Sequence, residues 1–492
     1  MRTAAVAIGL LGLAQGAALD RRAVLEDCLS QAKTSIDAVG SKDWDLDTRP
    51  FNERLAYKPE VVAVPTTAAQ IQSAIACGKK LGYKVTPKGG GHSYASYGLG
   101  GEDGHLVIQL DRMFAVKLDD KTGKATVEAG ARLGHVAAEL YAQGKRAISH
   151  GTCPGVGISG HALHGGYGLS SHTHGLALDW VEGMNIALAN GSLVHASATE
   201  NSDLFWGMLG AGSNFGVVTS FEMNTFAPPA NLTWFVVNLP LKKDKAVAAL
   251  EAIEDFTMND MPAELNMRVF GTSRMTQLEG NFFGSKADLE TTLAPLLNKT
   301  GGSLVQATET DWLGSLQHFA TMSLNQTHPH NEQENFYSKS LELKGLSGDS
   351  AKNFVDYWFS HAKNDTKSGF WYFQLDLQGG KNSAVWKADQ KLSSYAHRDK
   401  LYILQFFLRG TSDAIPQTGF DLVDKWTSTV TAPLKAEEWG MYINYPDITL
   451  NRTTAQQMYY AQNLPKLQEL RTEFDPAELF YYPMAITPAS KA

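Results

Sequence analysis

The sequence predicts an α+β protein that has two parts and a short tail. In its second part, apolar and polar residues alternate in strand-like runs at positions 234–239, 268–272, 371–378 and 401–410. Alternation of this kind is typical of strands that are buried on one face, so we expect an antiparallel sheet with helices on one face and the other face available. Pro228 and Pro229 separate this sheet from a first part that is rich in glycine.

The first part begins with short elements around a glycine loop. Residues 60–64 predict a strand, and the helix that starts after Pro65 ends near Gly82. The next strand leads into residues 88–94 (KGGGHSY), where the bare N–H groups of three glycines can cradle a phosphate. Further strands are predicted at 105–110, 125–130, 184–189 and 192–197, and another begins near Gly216. A helix is predicted over 132–143, closed by Gly144.

The second part and the tail also contain predicted helices. In the second part they lie at 243–257, 287–298, 349–362 and 418–430. The tail returns to short elements at 441–447 and 474–483, with one helix near 454–470.

Residues 1–18 predict a secretory signal peptide. Arg2 precedes an apolar run over residues 6–13 that is too short to span a bilayer, and small residues follow up to Ala18. Six sequons fit a secreted glycoprotein; they start at Asn190, Asn231, Asn298, Asn325, Asn364 and Asn451. The formal net charge of −8 argues against nucleic acid and anionic membranes as partners. We therefore expect an extracellular protein.

The three cysteines leave an odd one in an oxidising compartment. Cys28 and Cys77 both lie in the N-terminal region and predict a disulfide. Cys153 is then left inside a glycine-rich stretch, where it is either an inert buried thiol or covalently occupied.

That stretch, from His150 to Asp179, has the least regular composition in the chain. It contains eight glycines and five histidines besides Cys153. An interior glycine costs a helix or strand about 0.5–1 kcal/mol relative to alanine. Such a backbone is best explained by a large planar or phosphorylated ligand that lies directly against it.

Three other chemistries are disfavoured. Gly155, Gly157 and Gly160 formally match GxGxxG, but no firm strand precedes them and later glycines break the long helix that a Rossmann fold needs. His161 and His164 have metal-ligand spacing, yet no acidic residue lies in register beside them. A Ser-His-Asp hydrolase lacks its GxSxG elbow between strand and helix.

Four motifs, in order along the chain, resemble the berberine-bridge-enzyme-like flavin oxidases. They are KGGGHS at 88–93, GTCPGVG at 151–157 with Gly160-His161, GSNFGVVT at 212–219 and YINYPD at 442–447. Within that family the chain is most similar to the fungal oxidases of gluco-, xylo- and chito-oligosaccharides. The resemblance implies a two-lobed vanillyl-alcohol-oxidase (PCMH-type) fold. Residues 19–226 and the tail 439–492 would form the FAD-binding domain, and residues 227–438 a substrate-binding domain whose sheet covers the flavin.

The resemblance also implies FAD attached by two covalent bonds, through His92 and Cys153, which would account for the odd cysteine. Other motif residues expected to bind the cofactor are Gly89, Gly90, Gly91, Ser93, Gly157, Gly160, His161, Gly216, Val218, Tyr442 and Asn444. A doubly attached flavin can lie in an open groove that accepts polymers. No metal is expected.

The implied reaction oxidises the C1 hydroxyl of a reducing-end sugar to a lactone, which hydrolyses to an aldonic acid, while O2 becomes H2O2. Tyr445 is the expected base and Asp376 assists it, although the motif also leaves Tyr442 open as the base. The residues expected to bind sugar hydroxyls are Tyr94, Gln374 and Gln405. Gln374 and Asp376 are two apart, hence on one face of a strand.

Val156 resembles the family's oxygen gate, where a small side chain implies an oxidase and a bulkier Leu a dehydrogenase. The rival functions are a same-fold oxidase of a secondary-metabolite alcohol or amine, a flavin dehydrogenase with another acceptor, and a sugar-binding protein that has lost its flavin. The presence of His92, Cys153 and Tyr445 argues against the last. An oligosaccharide and O2 are the expected partners of a monomer.

Overall fold

The computed structural model describes residues 21–326, 333–410 and 414–490. The predicted signal peptide lies outside these residues. Within them, no helix is both long and apolar enough to cross a membrane. The described chain folds around three β-sheets.

The first sheet has four short strands: β1 (Ser35–Asp37), β2 (Val61–Val64), β3 (Val85–Lys88) and β4 (Leu106–Gln109). Their order is β1-β2-β4-β3, with β2 and β3 each parallel to β4. The helices beside it are α1 (residues 21–31), α2 (Trp44–Asp47) and α3 (Ala68–Leu81). Gly82 ends α3 in the left-handed conformation, as predicted. The predicted disulfide joins Cys28 on α1 to Cys77 on α3.

The second sheet has five antiparallel strands: β5 (Val116–Asp119), β6 (Lys124–Glu128), β7 (Val181–Leu188), β8 (Leu193–Ser197) and β9 (Gly216–Met223). Their order is β5-β6-β9-β7-β8. The helices of this region are α4 (Leu133–Gly144), α5 (Ile158–Ala162), α6 (Ser171–His174) and α7 (Ser202–Ala211). The prediction that Gly144 closes α4 is wrong. Gly144 is still helical, at a point where a Cβ would crowd Leu118, and Lys145 takes the left-handed position at φ 48°.

The third sheet has eight antiparallel strands: β10 (Leu232–Asn238), β11 (Leu265–Thr272), β12 (Thr276–Phe282), β13 (Ser303–Thr310), β14 (Phe336–Leu343), β15 (Phe370–Leu377), β16 (Tyr402–Arg409) and β17 (Trp439–Gly440). Their order is β13-β10-β12-β11-β15-β16-β14-β17. The accompanying helices are α8 (Lys243–Asp255), α9 (Lys286–Thr300), α10 (Trp312–Ala320), α11 (Gly348–Ser360), α12 (Ala384–Lys387) and α13 (Gln417–Thr431). Helices α8, α9, α11 and α13 pack together on this sheet, and its central strands present their other face to a cavity.

Several elements were not predicted from the sequence. Strand β13 lies at the sheet edge with both faces largely exposed, so its residues lack the alternation of a half-buried strand. Strands β12 and β14 and helix α10 were also missed. The single helix predicted near 454–470 is wrong: α14 (Arg452–Tyr460) and α15 (Leu464–Phe474) are separate helices, because Ala461 has φ 42° and breaks the turn.

Candidate active site

A cavity lies between the glycine loops, the tail and the open face of the third sheet. Nearly all the predicted site residues line it: Gly89, Gly90, Gly91, His92, Ser93, Tyr94, Cys153, Val156, Gly157, Gly160, His161, Gly216, Val218, Gln374, Asp376, Tyr442, Asn444 and Tyr445. We call residues 89–93 with 153–161 the loop wall. The face of β11, β15 and β16 opposite them is the sheet wall.

The loop wall is built on a close crossing of two glycine segments. Gly90 and Gly157 meet through main-chain atoms, so a Cβ on either would overlap the backbone of the other. A Cβ on Gly89 would likewise overlap Ser159 Oγ. Gly160 differs, since a Cβ there would meet nothing within 4 Å and the residue is exposed on the cavity surface. Glycine at the crossing is therefore required by the fold itself, whereas Gly160 leaves room for a ligand.

Arg132, just before α4, ties the two crossing segments together. Its Nη1 donates to the carbonyl oxygen of Gly90 at 2.9 Å and also to that of Gly155. Burial lowers the pKa of this guanidinium to about 10, so it stays charged at neutral pH. Its buried Nη2 has no protein partner within the described residues. The loop wall thus rests on a buried positive charge.

His92 follows the first glycine segment and points into the cavity. Its ring stacks on Phe51, with the centroids 3.6 Å apart. Burial, and to a lesser degree the charge of Arg132, lowers the pKa of its imidazole to about 3. The side chain is therefore neutral at physiological pH, with a nitrogen lone pair available for bond formation.

Cys153 lies exposed on the cavity surface of the same wall. It is close enough to Tyr94 and Tyr372 that its charge contributes to the raised pKa of both phenols. Val156, three residues later, also lines the cavity and packs partly buried against the core. The loop wall thus presents an imidazole and a thiol to one space.

Two histidines of the central stretch, His161 and His164, hydrogen-bond to main-chain atoms. His161 Nε2 accepts a hydrogen bond from Gly151 N at 2.9 Å, and burial lowers the pKa of this imidazole to about 3. His164 lies 2.8 Å from Gly160 O through Nδ1 and 3.0 Å from Ser213 Oγ through Nε2. In the described part of the chain, no group of three or more His, Cys, Asp or Glu side chains could hold a metal ion.

Tyr442 fixes the tail to the loop wall. Its hydroxyl oxygen accepts hydrogen bonds from Gly166 N at 3.0 Å, from Tyr167 N at 3.1 Å and from Asn444 Nδ2 at 3.1 Å. Asn444 Nδ2 also donates to His164 O at 3.3 Å. Burial raises the pKa of Tyr442 to about 12 although these hydrogen bonds oppose the shift. Tyr442 is thus an anchor for the turn at residues 165–167.

Tyr445 lies between the two walls. Its ring stacks on Tyr94 with centroids 5.1 Å apart and meets Tyr442 edge-on at 5.1 Å. Burial raises the pKa of the Tyr445 phenol well above its ordinary value, and Tyr94 and Asp376 raise it further. The phenol is therefore protonated at neutral pH in the protein alone.

Tyr94 is joined to the sheet wall through Gln405, the one predicted substrate residue that does not line the cavity. Gln405 Nε2 donates to Tyr94 Oη at 3.1 Å. Gln405 also lies directly opposite Gln374 in the register of β15 and β16. The three predicted sugar-binding residues therefore lie close together.

The sheet wall carries a buried carboxyl group, Asp376, which is 1% exposed. Gln374 Nε2 donates to Asp376 Oδ2 at 2.8 Å, so the predicted spacing of two does bring these side chains together. Burial raises the pKa of Asp376 to about 6, against the opposing effects of the Arg268 charge and the Gln374 hydrogen bond. A carboxyl group that ionises near neutral pH can accept and release protons during turnover.

Two further residues shape the site and were not predicted from the sequence. Arg268 on β11 lies opposite Asp376 in strand register and pairs with Glu279 at 2.6 Å. Ser340 on β14 accepts a hydrogen bond from Tyr442 N at 3.0 Å and so holds the tail on the sheet. Alternation along residues 268–272 could have placed Arg268 on the open face, but its pairing with β15 has no local sequence signal.

The residues of the cavity fit FAD. The residues that line the cavity include Tyr481 and Met484 of the tail and Asp376 of the sheet wall. The open face at Gly160 allows close approach of a flat or phosphorylated group. The buried charge of Arg132 lies under this wall and favours an anionic ligand.

Comparisons with known proteins agree with this fit. Residues 59–197 match the family model of the FAD binding domain, and residues 441–487 match that of berberine and berberine-like proteins. The chain is 47% identical to the xylooligosaccharide oxidase of Thermothelomyces thermophilus over 95% of both proteins.

Solved structures agree as well. The carbohydrate oxidase of Microdochium nivale in complex with a substrate analogue has a TM-score of 0.93 at 47% identity, over 95% of this chain and 100% of that one. The glucooligosaccharide oxidase of Acremonium strictum, which has a 6-S-cysteinyl, 8α-N1-histidyl FAD, has a TM-score of 0.92 at 40% identity, with the same coverage.

These likenesses cover both walls and the tail. The FAD-binding match includes His92 and Cys153, and the berberine-like match includes Tyr442 and Tyr445. The predicted α+β fold of the vanillyl-alcohol-oxidase type and the predicted cofactor, FAD, are confirmed. With 47% identity along almost its whole length, the chain belongs to the berberine-bridge-enzyme-like family of FAD-dependent oxidases.

Proposed function

We propose that this protein is a secreted, monomeric FAD-dependent oxidase that converts the C1 hydroxyl at the reducing end of an oligosaccharide to a lactone and reduces O2 to H2O2. The lactone then hydrolyses to an aldonic acid. Support comes from relatives at 40–47% identity that are named as xylo-, chito- and glucooligosaccharide oxidases and as a carbohydrate oxidase.

One observation carries the proposal above the others. A single cavity connects His92 and Cys153 on the loop wall with Tyr445 and Asp376 on its far side. An imidazole and a thiol are the groups for two covalent bonds to a flavin, and a phenol next to a carboxyl group is suited to remove a hydroxyl proton. The two flavin-attaching residues and the two proton-transferring residues line the same cavity.

In this proposal His92 and Cys153 hold FAD, and Gly160 and Val218 border it. Bound FAD would supply the acceptor for the hydride of sugar C1 and the two electrons for O2. The small side chain of Val156 leaves O2 access to that reaction. The FAD-binding domain comprises residues 19–226 and 439–492, and residues 227–438 form the substrate-binding domain.

Tyr445 acts as the base in this scheme. Its Oη takes the proton of the anomeric hydroxyl, and Asp376 receives the phenolic proton. The raised pKa of Tyr445 makes it a weak acid in the protein alone, so a carboxylate that accepts its proton is needed. Gln374 orients Asp376 by its 2.8 Å hydrogen bond. Tyr94 holds a sugar hydroxyl, and Gln405 acts through its hydrogen bond to Tyr94.

The covalent links are tested on purified protein by visible absorbance before and after acid denaturation and washing. We expect yellow colour to stay with the wild-type pellet. His92→Ala and Cys153→Ala should each keep attached flavin through the remaining bond, and the double variant should release it. Release of flavin from the wild type would refute covalent attachment, and a colourless protein would refute the oxidase proposal.

Substrate class is tested by peroxide release with a panel of cello-, xylo- and chito-oligosaccharides and with small aromatic alcohols and amines. Oxidation of the sugars at C1 supports the proposal. Peroxide from the aromatic compounds alone would assign the protein to secondary-metabolite oxidation. Sugar-dependent bleaching of the flavin without peroxide would make it a dehydrogenase with another acceptor.

Secretion and glycosylation are parts of the same proposal. All six sequon asparagines are exposed, which fits their modification. We expect the protein in the culture medium of a eukaryotic expression host, with a mass that falls after endoglycosidase treatment. Retention in the cell pellet at the unmodified mass would contradict this.

A further inference from the structure

The sheet wall continues beyond the site as a row of aromatic side chains. On β15, Phe370 and Tyr372 are on the same face as Gln374 and Asp376, because alternate residues of a strand share a face. Phe407 on β16 lies opposite Tyr372 in register, and their rings stack 4.7 Å apart. This face of the sheet therefore changes from polar at Asp376 to aromatic towards the start of β15. There Phe407 is buried against Phe336, while Tyr372 is partly exposed.

Phe370 ends this row at the protein surface, where it is 45% exposed. Arg409 lies opposite it on β16, with its guanidinium carbon 5.4 Å from the ring centroid. Arg409 Nη1 also pairs with Glu334 at 2.9 Å, which holds the guanidinium in place. An exposed ring with charged groups at its rim suits a sugar, whose C–H face packs on the ring while its hydroxyls bond to the rim.

The distance from the reaction centre limits which sugar can reach this ring. Phe370 and Asp376 are six residues apart on an extended strand, or about 20 Å at 3.3 Å per residue. A disaccharide with its reducing end at Asp376 is too short to reach Phe370, whereas a longer chain along the sheet face reaches it.

We propose that Phe370 and Arg409 form an outer subsite that binds a neutral sugar ring several units away from the reducing end. The subsite makes the enzyme select long oligosaccharides through affinity, without contact with the reacting carbon. This inference rests on the proposed function and names a binding site that the reaction itself does not require.

The test is the dependence of kcat/KM on chain length, from monosaccharide to hexasaccharide, for the wild type and Phe370→Ala. We expect kcat/KM of the wild type to rise with length until the chain reaches Phe370. Phe370→Ala should lower kcat/KM for the longest members about tenfold through KM, and leave mono- and disaccharides within twofold. Phe370→Trp should restore the length dependence.

Phe114→Ala is the matched control, because Phe114 is likewise an exposed phenylalanine, at 51%, but lies between β4 and β5, outside the third sheet. It should leave every kcat/KM value unchanged. An equal loss at all lengths in Phe370→Ala, or no loss at any length, would overturn the subsite.

Equilibrium binding separates this inference from the proposed function. The probes are sugar alditols of two to six units, which lack an oxidisable anomeric carbon, titrated calorimetrically into the flavin-loaded enzyme. Tighter binding of long alditols that Phe370→Ala abolishes supports the subsite even if no sugar is oxidised. Length-independent binding overturns the subsite and leaves the oxidase proposal to its own test.

Discussion

The loop wall of the cavity is formed by main chains that cross in contact, whereas the sheet wall is a face of side chains presented by regular strands. In the loop wall, Gly90 and Gly157 touch backbone to backbone, and Arg132 donates to carbonyl oxygens of both segments. In the sheet wall, Gln374 hydrogen-bonds to Asp376 across one strand face. A wall of touching backbones tolerates no added side chain, but a sheet face can exchange side chains without changing shape. The cofactor side is therefore constrained by sterics, and the substrate side is open to variation.

The largest expected effect comes from the tyrosine between the two walls. Tyr445→Phe keeps the ring that stacks on Tyr94 but removes Oη, so kcat should fall by about 10³-fold, within the range of a general base. Flavin should stay attached. The measurement is steady-state peroxide release at saturating sugar.

Tyr442→Phe is the control for that variant, because its hydroxyl accepts three hydrogen bonds within the loop wall. We expect a lower melting temperature and most of the activity retained. If Tyr442→Phe lost more kcat than Tyr445→Phe, the roles of the two tyrosines would be exchanged.

The next largest effect is on the pH dependence of kcat/KM, which we expect Asp376 on the sheet wall to control. The pKa of Asp376 is raised to about 6, so its carboxyl is protonated below that pH and cannot accept the phenolic proton. We expect kcat/KM to fall about tenfold per pH unit below about pH 6, and Asp376→Asn to lack this limb.

Arg268 sharpens that experiment, since its positive charge lowers the pKa of Asp376. Arg268→Gln should move the acidic limb to higher pH, and Arg268→Lys, which keeps the charge, should move it less. An unchanged limb in Arg268→Gln would show that another group controls the profile.

A smaller effect tests the loop wall. Gly90→Ala places a Cβ into the backbone of Gly157, and overpacking of this kind costs about 1–3 kcal/mol of the free energy of unfolding. Gly160 lies inside α5, and the Cβ of Gly160→Ala would meet no protein atom within 4 Å, so this variant should keep its stability. Its flavin content should fall, because the added methyl group occupies space next to the bound flavin. Thermal unfolding and flavin absorbance distinguish the two variants. Equal melting temperatures for Gly90→Ala and Gly160→Ala would show that contact with Gly157 is not the reason for glycine at position 90.

The smallest effect concerns oxygen access. Val156→Leu should slow flavin reoxidation by O2 by up to about tenfold, a change of about 1.4 kcal/mol in the barrier. Turnover with an artificial electron acceptor should stay unchanged, because the sugar half-reaction uses the opposite wall. Stopped-flow measurement of both half-reactions checks this, and an equal loss in both would place the effect on sugar binding.

The motifs can be recognised in the sequence because each is a short, continuous run of residues whose composition is unusual for a helix or a strand. Three consecutive glycines before His92, and glycines on both sides of Cys153, are rare in regular elements. Alternation along β15 is readable too, and the spacing of two residues by itself places Gln374 and Asp376 on one face of the strand. Disulfide pairing follows from Cys28 and Cys77 as the two cysteines outside the glycine-rich stretch.

The sequence pattern does not predict which strands pair with each other or which segments of the chain cross. Arg268 meets Asp376 only because β11 pairs with β15, and no local pattern encodes which strands become neighbours. The crossing of Gly90 and Gly157, and the clamp by Arg132, likewise join residues that are distant in the chain. Edge strand β13 was missed because exposure on both faces removes its alternation.

The sequence by itself therefore determined the class of fold and a glycine-rich ligand site, since local composition reflects local conformational demands. FAD and the residues of the chemistry were implied by the resemblance of its motifs to a known family. The tertiary structure decided which of those residues share a cavity, how burial shifts the pKa of Asp376 and Tyr445, and where the aromatic row ends at Phe370. The physical reason is that electrostatics and packing depend on distances between residues far apart in the chain, and these distances are set by how the sheets and loops pack together.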